Sequence, residues 1–205
     1  MNMKITIICG SHRENSQSTK VAKHYQKVML NGICEEAPII DLASNPLPLW
    51  DEGIWDGEEK WTRLLAPYRD TLSTSDGFVV ISPEWHGQVP AGLKNFFLIF
   101  GKNELGHKPA KIVTVSSADG GAYPVAELRM SSYKNSRLCY IPEHIILRNV
   151  EKILNENPAD NNESADEYFK ERIEWSLNIL KQYVLALKQV RDSGVIATDK
   201  FGNGM

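Results

Sequence analysis

The chain predicts a doubly wound α/β fold, a parallel sheet with helices on both faces. Three observations predict it. Strand and helix signals alternate along the sequence, two internal apolar runs are nearly continuous, and the last helix repeats at helical spacing. The two runs are Gly77-Phe78-Val79-Val80-Ile81-Ser82 and Ala110-Lys111-Ile112-Val113-Thr114-Val115, as expected for strands covered on both faces.

The elements follow in order. Residues 3–9 read as a strand because the β-rich run Lys4 to Cys9 ends abruptly at Gly10. Ser16 and Ser18 then precede Val21-Ala22, which predicts a helix over 18–31 with a hydroxyl cap. Strands over 37–41, 77–82, 110–116 and 140–147 alternate with helices over 57–73, 90–101, 122–135 and 164–191. In the last helix Phe169, Ile173, Leu177, Leu180, Val184 and Leu187 step by three and four. Five strands joined this way need right-handed crossovers. Residues 1–191 form one domain, and residues 192–205 read as a mobile tail. The polar stretch Asn155 to Asp166 reads as a surface loop.

Composition narrows the function. Apolar content of 42% and a net charge of −3 suit a soluble globular protein and speak against a nucleic-acid binder. The longest apolar stretch, around Phe96 to Phe100, is far too short to span a membrane. With a core strand at the N-terminus, the expected location is the cytoplasm. Cys9, Cys34 and Cys139 have neither metal nor disulfide-framework spacing, and the five histidines are scattered.

In doubly wound sheets, ligands bind beyond the carboxyl ends of the strands. Three segments fall there: 10–18, 83–90 and 117–123. The first, Gly10-Ser11-His12-Arg13-Glu14-Asn15-Ser16-Gln17-Ser18, brings hydroxyls, backbone N–H groups and a guanidinium to a helix N-terminus. That combination selects an anion, most simply a phosphate. The loop lacks the glycine–lysine ending of a nucleoside-triphosphate site and the three glycines of a dinucleotide fingerprint. A terminal monophosphate, as in FMN, suits it better; helix capping by these side chains is the competing reading. Asp41 reads as a strand-end or turn residue.

The second segment runs Ser82-Pro83-Glu84-Trp85-His86-Gly87-Gln88-Val89-Pro90, then Ala91-Gly92-Leu93-Lys94-Asn95. With the first loop it resembles the NAD(P)H-dependent FMN reductases of flavodoxin-like fold, which include quinone, chromate and azo reductases. That family's pattern is glycine-serine-x-arginine-x-x-serine, then proline-glutamate-tyrosine-asparagine-glycine leading into leucine-lysine-asparagine. Gly10, Ser11, Arg13 and Ser16 match the first part; Pro83, Glu84, Gly87, Leu93, Lys94 and Asn95 match the second. Trp85 stands for the family tyrosine and His86 for the asparagine. The third segment, Ser116-Ser117-Ala118-Asp119-Gly120-Gly121-Ala122-Tyr123, matches more loosely.

The resemblance implies a three-layer flavodoxin-like sandwich with a five-stranded parallel sheet and bound FMN. Ser11, Arg13, Ser16, Gln17 and Ser18 would hold the phosphate. Pro83, Glu84, Trp85, His86 and Gly87, with Ser117, Asp119 and Gly120, would hold the ring, Glu84 chiefly by fixing its loop. His86 has two readings: a partner for ring or substrate, or a loop histidine bonded to nearby backbone. The flavin would carry the chemistry, taking hydride from NADPH or NADH and reducing a quinone-like or other small acceptor, with no catalytic side chain required. The alternative is an FMN-binding electron carrier or redox sensor without NAD(P)H turnover. Family members usually associate, so a homodimer or homotetramer is expected; helix 90–101, apolar nearly all round, needs cover on more than one side, from a partner subunit or from the core of its own. The resemblance places Leu47, Trp50, Ile54, Trp55 and Trp61 where the chain flanks the flavin or reaches a partner subunit; packing under a long loop is the ordinary reading and the favoured one.

Overall fold

In the computed structural model, which describes residues 2–196 and 199–204, the first apolar run is β1 (Ile5–Cys9), buried along its whole length. Ser16 caps α1 (Gln17–Leu30) by accepting the Thr19 N–H at 3.1 Å. The chain continues through β2 (Ile39–Asp41), α2 (Glu59–Ser73), β3 (Gly77–Pro83), α3 (Ala91–Ile99), α4 (Lys102–Leu105) and β4 (Pro109–Val115). It ends with α5 (Ala122–Ser131), β5 (Cys139–Tyr140), β6 (Ile145–Leu147) and α6 (Glu163–Asp192). All strand pairings are parallel, in the order β2-β1-β3-β4-β5, with β6 also on β4.

Side chains alternate across the sheet and build two cores. Ile5, Ile7, Val79, Ile81, Val113 and Ile145 face α1 and α6, through Val21, Tyr25, Ile173, Leu177 and Leu180. Ile8, Phe78, Val80, Ala110 and Ile112 face α2, α3 and α5, through Leu65, Leu72, Leu93, Phe96 and Leu128. This is the expected three-layer sandwich.

The edge departs from expectation. One strand over 140–147 is in fact β5 and β6, so five sheet positions hold six strands. Ala110 faces Tyr140 and Val113 faces Ile145, so the edge chain uses two more residues than β4 there. Ile141 still donates to Ala110, at 2.9 Å, but Pro142 has no N–H to continue the ladder.

Helix 90–101 is shorter than expected and is covered mainly by its own chain. Leu93, Phe96, Ile99 and Phe100 are buried, whereas Phe97 is half-buried and Leu98 exposed. Phe100 is extended and ends α3. Among the aromatics of the 43–61 connection, Trp61 is buried and donates to Asp51 at 2.7 Å, Trp50 is half-buried, and Trp55 is exposed. Of the expected tail, residues 197, 198 and 205 lie outside the described residues. Lys102 donates to the Gly202 carbonyl at 3.0 Å, and Gly204 N–H donates to Asn135 at 3.1 Å.

Lys111 interrupts the apolar run of β4 and is fully buried, on the face that packs against α6. Its Nζ has no hydrogen-bond partner among the described residues. Burial pushes its ammonium pKa down to about 7, with Glu143 opposing and Arg172 adding to the shift.

Candidate functional site

The three loops meet beyond the carboxyl ends of β1, β3 and β4. In the first, Ser11 is buried and its Oγ accepts the Arg13 N–H at 3.3 Å. The Gln17 and Ser18 N–H groups open α1 and have no acceptor among the described residues, as the first turn of a helix requires. Gln17 Oε1 is buried without a partner among the described residues. The Arg13 side chain is exposed and makes no ion pair among them. Asp41 ends β2 and steadies the turn that follows: it accepts from Ala43 N at 3.0 Å and from Thr19 Oγ1 at 3.3 Å. Burial, followed by the Asp41 charge, pushes the Cys9 thiol up to about 12, so it stays protonated beneath the loop.

The second loop is a tight hairpin. Trp85 N–H donates to the Gln88 carbonyl at 3.1 Å, and Gln88 N–H returns to Trp85 at 2.9 Å. Between them His86 (φ 49°) and Gly87 (φ 73°) are both left-handed, the geometry of a type I′ turn. Asparagine-glycine is the preferred pair for that turn, and histidine is among the few other side chains enriched at positive φ. The substitution of His86 therefore has a backbone account. The Trp85 ring meets His12 edge-on at 4.5 Å between centroids, joining the first loop to the second.

The residues after the hairpin hold it in place. Val89 N–H donates to Glu127 Oε2 at 2.8 Å, and Lys94 Nζ pairs with Glu127 Oε1 at 2.6 Å. Asn95 accepts from Trp50 N and donates to the Pro48 carbonyl, both at 2.8 Å, clamping the long connection after β2. Lys94 and Asn95 thus act on the scaffold around the loops.

The third loop is tied from two sides. Glu84 Oε2 accepts the Gly121 N–H at 2.6 Å. Gly121 has φ 101°, and a Cβ there would come within 2.5 Å of Ile146 Cγ2, so both backbone and packing demand glycine. From the sheet edge, Asn149 N–H donates to Ala118 at 3.1 Å, Arg148 Nε to Gly120 at 3.0 Å, and Asn149 Nδ2 to Asp119 at 3.3 Å.

A cleft of about 190 Å³ lies between the loops. Of the expected site residues it brings together Ser11, Arg13, Ser16, Gln17, Ser18, Pro83, Glu84, Trp85 and Ser117. His86, Gly87, Asp119 and Gly120 stand outside its lining: the first two at the hairpin tip, Asp119 beside Asn149, and Gly120 against Glu84. Asn15, Val115, Ser116 and Glu151 complete the wall without having been expected. Asn15 and Ser116 lie inside or beside loops already singled out, so position alone could have found them. Glu151 follows β6 and had no local signal. A larger groove of about 510 Å³, between α3 and α5, holds none of the expected residues. Among the described residues, no group of His, Cys, Asp and Glu is arranged to hold a metal ion, and no helix is long and apolar enough to cross a membrane.

The chemistry of this cleft suits FMN: a phosphate would find the free N–H groups and the unpaired Arg13, and a ribityl hydroxyl would satisfy the orphaned Gln17 oxygen.

Comparison with known proteins agrees. The chain is 26% identical over 147 residues to an NADPH azoreductase from Bacillus sp. (strain OY1-2), covering 71% of this chain and 76% of the relative. It is 28% identical over 126 residues to a quinone reductase from Pseudomonas putida, covering 58% of this chain and 63% of the relative, just under two thirds of that protein's length. In structure it is similar to the flavoenzyme NAD(P)H:(acceptor) oxidoreductase FerB from Paracoccus denitrificans, with a TM-score of 0.66, 22% identity, and coverage of 90% and 98% of the two chains. It also matches the NAD(P)H:quinone oxidoreductase from Methanothermobacter marburgensis, with a TM-score of 0.61, 14% identity, and coverage of 87% and 98%. These structural likenesses establish the flavodoxin-like fold. The family model for NADPH-dependent FMN reductases matches residues 3–152, most of the chain and all three loops; the chain belongs to that family.

Proposed function

We propose that this chain is an FMN-dependent oxidoreductase that draws on NAD(P)H and reduces a quinone-like or azo acceptor. The observation that carries this reading is the convergence of Arg13, the free Gln17 and Ser18 N–H groups and the Glu84–Trp85 wall on one cleft. FMN, when bound, supplies the two-electron chemistry. The residues of the chain bind and orient it. Ser11, Arg13, Ser16, Gln17 and Ser18 hold the phosphate, and Pro83, Glu84, Trp85 and Ser117 border the ring. His86, Gly87, Asp119 and Gly120 shape the backbone around it. Glu84 acts by holding Gly121 rather than by moving a proton. The Trp85 ring would offer apolar surface to the flavin, and the donor and acceptor would use the ring in turn.

We further propose a homodimer or homotetramer, supported by the exposed Leu98, Tyr123 and Met130 on α3 and α5. A cytoplasmic location is supported by three cysteines that are all free.

The test is an absorbance spectrum of protein incubated with FMN and desalted, before and after anaerobic NADPH or NADH. Retained flavin that bleaches supports the reductase. Retained flavin that does not bleach favours an electron carrier or sensor, and no retained flavin counts against the site.

A further inference from the structure

We propose that Glu151 sets how tightly the cleft holds a phosphate, opposing Arg13 and keeping a phosphorylated flavin exchangeable. The inference rests on reading the cleft as the FMN phosphate site. Glu151 lines the same wall as Arg13, Ser16, Gln17 and Ser18. Neither Arg13 nor Glu151 forms an ion pair among the described residues. A cation and an anion therefore border one small cleft, both available to whatever enters it.

The position of Glu151 is built in. Val150 N–H donates to the Ser116 carbonyl at 3.2 Å, Lys152 N–H to Asn149 at 2.8 Å, and Asn155 Nδ2 to the Glu151 carbonyl at 2.9 Å. Lys20 is in range to feel the Glu151 charge, yet its Nζ is directed at Val150 O, Ile153 O and Asn155 Oδ1, at 2.7, 2.8 and 2.8 Å. The turn that carries Glu151 is thus fastened to α1 and to the third loop, while its carboxylate forms no ion pair among the described residues and feels the Lys20 charge only at longer range.

A phosphate dianion entering the cleft gains from Arg13 and the helix N–H groups and is repelled by this carboxylate. The repulsion falls on the phosphate, because the oxidised ring and the ribityl chain carry no net charge. Glu151 thereby narrows the preference for FMN over riboflavin and shortens the residence of FMN.

The test is fluorescence titration of FMN and of riboflavin against the wild-type protein, Glu151→Gln and Glu151→Lys. FMN affinity is expected to rise about tenfold in Glu151→Gln and further in Glu151→Lys, with the gain shrinking at high salt. Riboflavin affinity is expected to stay unchanged. Unchanged FMN binding in both variants overturns the proposal. So does weaker binding of both flavins, which would make Glu151 an acceptor for ribityl hydroxyls. A wild-type protein that binds neither flavin overturns the flavin reading itself, and this proposal with it.

Discussion

The Glu84 carboxylate accepts the Gly121 N–H at 2.6 Å, fastening the loop after β3 to the loop after β4. The contact spans 37 residues of sequence and joins two of the loops that border the cleft. A side chain at Gly121 would collide with Ile146, and one at Gly120 would collide with the same carboxylate.

Glu84→Ala is therefore expected to lower stability by about 1–2 kcal/mol, toward the low end for a hydrogen bond to a charged group because Glu84 is only half-buried. It should also reduce FMN retention after desalting. Denaturant unfolding and the flavin spectrum check the two effects, and a variant that retains flavin like the wild type would refute the bracing role.

Arg13→Ala should weaken FMN binding by about 1.5–3 kcal/mol, the range for a bond to a charged group, with much less effect on riboflavin. Isothermal titration with both ligands checks this. Equal losses for FMN and riboflavin would move the phosphate away from Arg13.

At position 86 the backbone decides what is tolerated. His86→Asn should leave stability within about 0.5 kcal/mol, since asparagine suits positive φ. His86→Val should cost about 1–3 kcal/mol, because a β-branched side chain resists that conformation. Chemical denaturation of the two variants makes the comparison; a harmless valine would show that the turn rearranges.

Lys111 has a folded-state pKa near 7 against 10.5 for the free side chain, so between those values the unfolded chain binds the proton more tightly. Stability should rise as pH increases from about 7 toward 10.5, and the penalty is at its full size below pH 7. Lys111→Met should remove that part of the slope and stabilise the protein at neutral pH by about 1–4 kcal/mol, as replacing a buried charge by a fitting apolar group does. Thermal melts from pH 6 to 10 test it, and identical pH slopes for the two proteins would show that Lys111 reaches water.

The order of strands and helices was legible because the apolar runs are continuous and helix and strand periods differ. The first two loops were legible because Arg13, the serines and Pro83-Glu84 lie within short segments. The split of the edge strand was only half legible. Pro142 is visible in the chain, but where pairing resumes depends on Val113 and Ile145 finding each other across the sheet. The roles of Lys94 and Asn95 were not legible, since their partners Glu127, Pro48 and Trp50 lie more than thirty residues away.

What the sequence by itself determined was the layered α/β fold, the three strand-end loops and the concentration of hydroxyls and one guanidinium in the first, all consequences of local pattern and residue type. What only the tertiary structure decided was which residues share the cleft. Glu151 enters because the chain after β6 is bonded to Ser116 and Lys20, and His86 stays outside because its left-handed backbone puts it at a hairpin tip. Such placements come from hydrogen bonds between distant segments, and no local period or motif encodes them.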